Sequence, residues 1–270
     1  RRFKHTQTFL LGSAELDGFL EYNQARQGLT ILAEIVLQKA HEICFRDLIQ
    51  RHGRPRDENG ESAKFSIVGM GKLGGKELTY HSDLDLIFLY SGVGETDGHL
   101  PVSNQLFYAK LIQRIISFLS SVTGCGYAYK LDTRLRPSGN AGVLVTTISS
   151  FAAYHQQSKP WEHQALIKAR VVGGDIDEKW RVSVDKLLSK SAYEWEIPDD
   201  LHLKIAHLRG RKEEELSGET FEQKNLKEGK GGLLDIEFLT QYLQLKFVRR
   251  FPKLRTTETV SYTHLTLPTT

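Results

Sequence analysis

Two short apolar runs separated by a glycine-rich turn stand out in the pattern of hydrophobic and polar positions. The runs are FSIV (residues 65–68) and LIFLY (residues 86–90), and turn residues bound both of them. Short runs rich in β-branched and aromatic side chains are typical of buried β-strands. The pattern therefore predicts two strands joined by a glycine-rich turn.

Helical periodicity surrounds these strands. Residues 28–52 carry apolar side chains at three- and four-residue spacings, which predicts an amphipathic helix of about six turns. A second apolar stripe begins after Ser103, a suitable helix cap, and Gly124 is a candidate helix end. Similar patterns predict further helices over residues 149–157, 160–175 and 233–247.

Two more segments predict additional strands. Residues 127–132 alternate in strand fashion and end in Asp132, before Pro137 and Gly139 stop the pattern. Residues 142–147, GVLVTT, form another short apolar run. Together the segments predict an α+β fold with a mixed sheet of about four or five strands and helices on one face.

Three aspartates at the strand ends carry the candidate chemistry. Asp83 and Asp85 alternate along one strand, so their side chains share a face about 7 Å apart. Like charges beside an apolar core are costly unless a cation lies between them, and Mg²⁺ prefers carboxylate oxygens. With Asp132 on a neighbouring strand, the three could hold two metal ions as in phosphoryl and nucleotidyl transfer.

The glycine turn has three other interpretations. Gly69, Gly71 and Gly74 match the dinucleotide fingerprint, but a parallel crossover needs about a dozen residues before the next strand. A P-loop requires Ser or Thr where Leu73 stands. A structural hairpin with solvated aspartates is the third interpretation, and the third acid, Asp132, favours the metal site over it.

Four motifs extend this picture to a known family. GKLGGKELTYHSDLDLIF, LDTRLRPSGNAG, WEHQALIKARVV and GGLLDIEFLTQYL occur in this order along the chain. From about residue 1 to residue 255 the chain thereby resembles the glutamine-synthetase adenylyltransferase family, whose catalytic domains are polymerase-β-like nucleotidyltransferases. Within that family the flanking residues Ser138, His163 and Gln164 resemble the C-terminal half, which attaches AMP.

The resemblance implies specific site residues. The metal-binding and catalytic carboxylates fall on Asp83, Asp85 and Asp132, and Asp132 is also a candidate proton acceptor. The nucleotide and phosphate contacts would come from Gly74, Gly75, Ser82, Arg134, Arg136, Lys168 and Arg170. For Lys168 and Arg170, a solvated helix face is an equal alternative.

The implied activity is transfer of AMP from ATP to a tyrosine hydroxyl of glutamine synthetase, with two Mg²⁺ ions as the implied cofactor. PII-type signal proteins are implied as further partners. The related adenylyl-removing reaction, a nucleotide-sensing module without turnover, and a dinucleotide-binding oxidoreductase remain alternatives. Release of pyrophosphate from ATP discriminates among them.

The resemblance and the pattern together predict four regions. They are a helical lead-in with its linker (1–63), the nucleotidyltransferase domain (64–190), the start of a truncated helical bundle (191–255), and a non-native or disordered tail (256–270). Because the chain begins with Arg1, we expect it to be a piece of a longer polypeptide.

Composition narrows the class of protein. The 36 basic and 33 acidic residues give a formal net charge of +3, which does not indicate a nucleic-acid partner. No apolar run approaches the ~20 residues of a membrane span, so a cytoplasmic protein without a membrane partner is expected. Cys44 and Cys125 show no metal-ligand spacing and predict buried thiols in a reducing compartment.

Overall fold

The computed structural model of the chain describes residues 1–220 and 223–257. Nearly all of the predicted tail, from residue 258 on, therefore lies outside the described residues. Within them the chain combines α-helices with a five-stranded mixed sheet, which confirms the predicted α+β class. No helix in these ranges is both long and apolar enough to cross a bilayer.

Contacts group the described residues into two compact units. The first contains residues 1–154 and 168–188. The second contains residues 155–167 and the described residues from 189 onward. The first unit thus holds the leading helices together with the sheet, while the predicted four-part division remains a prediction.

The helix predicted over residues 28–52 is present and begins earlier. After α1 (Arg2–Leu16), α2 extends from Tyr22 to His52. Gly53 follows it with φ of 79°, a conformation that glycine adopts without steric cost. The buried stripe of α2 faces the core and consists of Ala25, Leu29, Leu32, Ala33, Leu37, Ala40, Cys44 and Leu48.

The sheet forms around the two predicted strands. Its strands are β1 (Phe65–Gly69), β2 (Leu84–Tyr90), β3 (Leu131–Asp132), β4 (Thr146–Thr147) and β5 (Arg170–Gly174). The order is β3-β2-β1-β5, and β4 also pairs with β2. β1 is antiparallel to β2 and β5, whereas β3 and β4 run parallel to β2. The predicted mixed sheet is confirmed.

Three elements differ from the prediction. The strands expected over 127–132 and 142–147 shorten to β3 and β4, because only their last residues reach β2. The helix expected over 160–175 was wrong in its second half: α6 (Pro160–Leu166) ends early and the chain continues as β5. The two valines of β5 fit a helical period locally, but pairing with β1 decides the outcome.

The remaining helices of the first unit cover the sheet. A four-residue helix, α3 (Gly71–Gly74), follows β1, and α4 (Asn104–Ser120) follows β2. Ser103 caps α4 as predicted, since its hydroxyl accepts the Leu106 N–H at 3.3 Å. The helix ends at Ser120, before Gly124, because the chain then makes a tight turn over 123–126.

An aromatic stack fills the core between the sheet and helices α2 and α4. The ring of Phe65 stacks on Tyr108 at 5.1 Å and on Phe88 at 6.2 Å. Cys44 is buried beside this core, as predicted. Cys125 is exposed, so the expectation of a second buried thiol was wrong, because Cys125 lies in the surface turn after α4.

The second unit is helical. The unit boundary divides α7 (Glu178–Tyr193) after Leu188, and it places all but the last residue of α5 (Ile148–His155) in the first unit. The unit contains α6, α8 (Leu201–Leu216) and α9 (Leu233–Phe247). Asp235 accepts the Gly231 N–H at 2.6 Å at the start of α9. Glu237 instead accepts from the amide of Gln241.

Candidate functional site

The three aspartates gather at one end of the central strands. Asp83 lies one residue before β2, and Asp85 is the second residue of that strand. In the parallel pairing of β2 with β3, Asp85 is directly opposite Asp132. The fold therefore places the third acid on the strand beside the first two, at an edge where Asp83 is exposed and the others are half-buried.

The pKa values of two carboxyl groups at this edge shift in opposite directions. Burial and the neighbouring charges of Asp132 and Asp83 raise the pKa of Asp85 to about 6, while Arg134 and Lys72 partly oppose this shift. The Arg134 guanidinium hydrogen-bonds to Asp132 and lowers the pKa of that carboxyl. Arg134 thus hydrogen-bonds directly to Asp132, whereas among the described residues Asp85 forms no ion pair and is affected by Arg134 and Lys72 only at longer range.

Arg134 and Arg136 have different roles in the loop after β3. The strand ends at Asp132, so the two arginines do not continue on its face. Arg134 Nε lies 3.0 and 2.9 Å from the two oxygens of Asp132, and its side chain is 73% exposed. Arg136 donates to the carbonyl oxygens of Thr133 at 2.8 Å and Gly142 at 3.3 Å. Only Arg134 contacts a candidate metal ligand.

The donor set fits a hard divalent cation by its chemistry. Asp85 and Asp132 provide carboxylate oxygens on adjacent strands, and the raised pKa of Asp85 reflects burial beside two like charges, which a cation would offset. Across the described ranges, no three or more His, Cys, Asp or Glu side chains are already arranged to hold a metal ion. A bound ion would require Asp132 to loosen its contact with Arg134.

The glycine turn is packed too closely for larger residues. A Cβ on Gly74 would lie 1.9 Å from the Lys168 carbonyl oxygen. A Cβ on Gly71, which has φ of 50°, would lie 2.6 Å from Asp85 Oδ2. Gly71 therefore leaves room for the Asp85 carboxylate, a role that the motif spacing did not indicate.

Hydrogen-bond donors of this turn are mostly engaged within the protein. The N–H groups of Gly74 and Gly75 donate to the carbonyls of Met70 and Gly71, both at 2.9 Å. Ser82 Oγ accepts the Thr79 N–H at 3.1 Å. The proposed contacts of Gly74, Gly75 and Ser82 with phosphates remain predictions.

Lys168 and Arg170 support the glycine turn through contacts with the turn and with Glu77. Lys168 is 5% exposed, and its Nζ lies 3.1 Å from Glu77 Oε2, so the alternative of a solvated face was wrong for it. Arg170 donates to the carbonyls of Gly74 at 2.9 Å and Leu73 at 3.0 Å, and it pairs with Glu34. Their predicted contact with the triphosphate remains untested.

The charged residues that support the glycine turn form a scaffold of Arg26, Glu77, Lys168 and Arg170. Sequence reasoning missed two of them, Arg26 and Glu77. Arg26 of α2 lies 3.2 Å from Glu77 Oε1, so Glu77 pairs with cations from two distant segments. Only Glu77 gave a local signal, as the acid that follows Gly75 and Lys76 in the motif. The pairing itself joins residues 91 positions apart and has no periodic signature.

The dinucleotide interpretation conflicts with the topology. That fingerprint needs a helix and a parallel crossover between its strands. Here α3 has four residues and β2 returns antiparallel to β1. The topology therefore disfavours the dinucleotide interpretation.

The three residues used to predict the direction of the reaction contact different parts of the protein. Ser138 is exposed with φ of 60°, and its N–H donates to Tyr154 Oη at 3.0 Å. His163 is fully buried in the second unit, where it stacks on Trp195 at 3.9 Å. Gln164 donates to Gln241 Oε1 at 2.6 Å. The last two side chains thus have structural partners.

Family comparisons agree with the geometry. Residues 1–184 match the model of the family described as glutamate-ammonia ligase adenylyltransferase. The chain belongs to this family. Its mixed sheet and flanking helices are those of a polymerase-β-like nucleotidyltransferase fold. Residues 199–266 match a second family model, described as GlnD PII-uridylyltransferase.

Curated relatives share one printed name, bifunctional glutamine synthetase adenylyltransferase/adenylyl-removing enzyme. The protein of that name from Nitrosococcus oceani is 37% identical over 263 residues, covering 94% of this chain and 27% of the relative. Those from Idiomarina loihiensis and Shewanella frigidimarina are 38% identical over 262 and 260 residues, with the same coverage. The chain spans about a quarter of the length of these relatives.

Proposed function

We propose that this chain is an adenylyltransferase unit that moves AMP from ATP to a tyrosine hydroxyl of glutamine synthetase. The observation that carries the proposal is the register of β2 and β3, which sets Asp85 directly beside Asp132, next to Asp83. The family membership and the printed names of the relatives support the same class of reaction.

Each acidic residue has a distinct role in this proposal. Asp83 and Asp85 would hold both Mg²⁺ ions, and Asp132 would hold one of them. Mg²⁺ when bound would neutralise charge on the triphosphate and on the transition state. Asp132 would also accept the proton of the attacking hydroxyl, directly or through water.

The arginine beside the acids serves the leaving group. Arg134 is exposed, and among the residues that the structure describes its side chain hydrogen-bonds to Asp132 alone, so its guanidinium can turn towards the pyrophosphate with little cost in buried contacts. Arg136 would add charge from the neighbouring loop. Lys168 and Arg170 act at one remove, by holding the glycine turn against which the phosphates lie.

A transfer assay tests the proposal. The purified chain is incubated with Mg²⁺, labelled ATP and glutamine synthetase, and labelled tyrosine and pyrophosphate are measured. We expect both products in equal amounts. Pyrophosphate without labelled glutamine synthetase would reject the protein substrate, and neither product, from a chain that binds Mg-ATP, would reject the transferase.

The adenylyl-removing reaction is the second candidate, because the relatives are named for both activities. It would use the same carboxylates with phosphate as the nucleophile. Initial rates of AMP transfer and of ADP release from adenylylated glutamine synthetase plus phosphate should be compared. We expect transfer to dominate, and a dominant ADP release would assign the chain to the removing reaction.

PII-type signal proteins are proposed as partners of the complete protein. The support is the second family model over residues 199–266, whose printed description includes PII. Co-sedimentation of the chain with a purified PII protein tests whether this segment is sufficient. A complex that forms equally well without residues 199–266 would contradict the assignment.

A further inference from the structure

A basic pocket lies between α2 and α4, formed by residues that take no part in the proposed catalysis. It is a concavity of about 420 Å³ lined by Leu48, Arg51, His52, Lys110, Gln113, Arg114 and Ser117. Leu48 is fully buried at its base. The α4 side consists of one helical stripe, because residues 110, 113, 114 and 117 follow at three- and four-residue spacings.

The pocket concentrates positive charge without a counterion. It contains three permanently charged side chains and one histidine, and none of its seven lining residues is acidic. Among the residues that the structure describes, Arg51, Lys110 and Arg114 form no ion pair and no side-chain hydrogen bond with any partner. Asp47 lies one turn before Arg51 and also forms no ion pair with any residue that the structure describes.

Helix electrostatics explain only half of this arrangement. Arg51 and His52 occupy the last turn of α2, where cations are stabilised by the helix dipole. Lys110 and Arg114 lie in the middle of α4, where no such field acts, and both are half-buried. Like charges at an i, i+4 spacing destabilise a helix, so Lys110 and Arg114 destabilise α4 when no anion is bound between them.

We propose that the basic pocket binds the phosphate group of a small molecule, at a site separate from the three aspartates. Guanidinium groups bind phosphate with two parallel hydrogen bonds, and lysine adds a point charge. Gln113 and Ser117 contribute neutral donors on the same stripe. The volume suits a ligand of metabolite size.

Binding of inorganic pyrophosphate tests the proposal directly. Calorimetry is carried out without Mg²⁺ and at constant ionic strength, so that turnover and general screening do not contribute. We expect the variant Lys110→Gln/Arg114→Gln to bind about tenfold more weakly or worse, with an unchanged melting temperature. The matched control Lys204→Gln/Arg211→Gln removes the same charge from exposed pairs of α8 and should bind like the wild type.

A second variant distinguishes binding at the basic pocket from binding near the three aspartates. Arg134→Gln/Arg136→Gln removes the cations proposed to meet the leaving pyrophosphate and should retain pyrophosphate binding at the basic pocket. Hydrogen exchange should then show protection over residues 110–117 in both this variant and the wild type. Loss of binding in this variant, equal loss in the α8 control, or no binding to the wild type would each overturn the proposal.

Discussion

The ion pair at the carboxylate edge, which contains Asp83, Asp85 and Asp132, is exposed. The ion pair in the scaffold of the glycine turn, which contains Glu77 and Lys168, is buried. At the edge, Arg134 pairs with Asp132 while 73% of the arginine side chain is exposed. In the scaffold, the side chains of Lys168 and Glu77 are each 6% exposed and 3.1 Å apart. Exposed ion pairs exchange easily with solvent, whereas breaking a buried pair leaves an uncompensated charge.

This difference matches the demands on the two regions. In the proposed reaction, metal ligands and phosphate contacts would have to rearrange when Mg-ATP arrives and when pyrophosphate leaves, and the exposed Arg134 would allow that change. The glycine turn would have to keep its shape, and Glu77 pairs with both Lys168 and Arg26 beside it. Catalysis and stability are therefore expected to separate when each region is altered.

The largest effect is expected from Asp85→Asn. Removing this ligand should lower AMP transfer about 100-fold or more, a barrier increase of ~2.7 kcal/mol. The fold should keep its melting temperature, because the raised pKa of Asp85 shows that burial and the charges of Asp132 and Asp83 disfavour its ionised form. Asp199→Asn, an exposed control, should change neither quantity.

Transfer assays and thermal melts of the same preparations check this expectation. Asp83→Asn should behave in the same way. Retention of more than about a tenth of the wild-type rate, which corresponds to only ~1.4 kcal/mol of barrier, would contradict direct participation of these residues.

The scaffold should show the reverse response. Glu77→Gln removes the carboxylate that pairs with Lys168 and Arg26, and losses of about 3–5 kcal/mol are typical when one partner of a buried pair is removed. The matched control is Glu42→Gln, whose partner Lys39 is 67% exposed. Denaturant unfolding should show a far smaller loss for the control, and equal losses would refute the contrast.

Sequence predicted the edge better than the scaffold, for physical reasons. The D-x-D spacing and the apolar run after it give both the strand and the shared face of Asp83 and Asp85 locally. The pairing of Glu77 with Lys168 depends on β5 docking beside β1, and that strand was itself predicted as helix. Pairings across 91 positions follow from tertiary structure alone.

A buried polar group without a partner gives a third point of comparison. His41 is 4% exposed, its ring stacks on Phe65, and neither ring nitrogen has a hydrogen-bond partner among the described residues. Burial lowers its pKa from 6.5 to about 4. The unfolded chain therefore binds a proton more readily, and the free energy of unfolding should fall as pH drops from about 6.5 to about 4.

The variant His41→Leu should remove this dependence. Its unfolding free energy should lose up to about 3 kcal/mol less than that of the wild type between these pH values. Denaturant unfolding at several pH values measures the difference. Parallel pH profiles for the two proteins would show that His41 does not titrate in this way.

The smallest structural effect is expected from Arg134→Lys at the carboxylate edge. Lysine keeps the charge beside Asp132 but lacks the planar fork that binds two oxygens at once. Because the side chain is mostly exposed, the melting temperature should not change measurably. The rate of AMP transfer should fall about tenfold, equivalent to ~1.4 kcal/mol of barrier, if Arg134 meets the pyrophosphate as proposed. Arg181→Lys, an exposed arginine paired with Asp185 on α7, is the matched control and should keep the full rate. A large drop in melting temperature with an unchanged rate would place Arg134 in the scaffold's class, and the distinction between the two regions would then be lost.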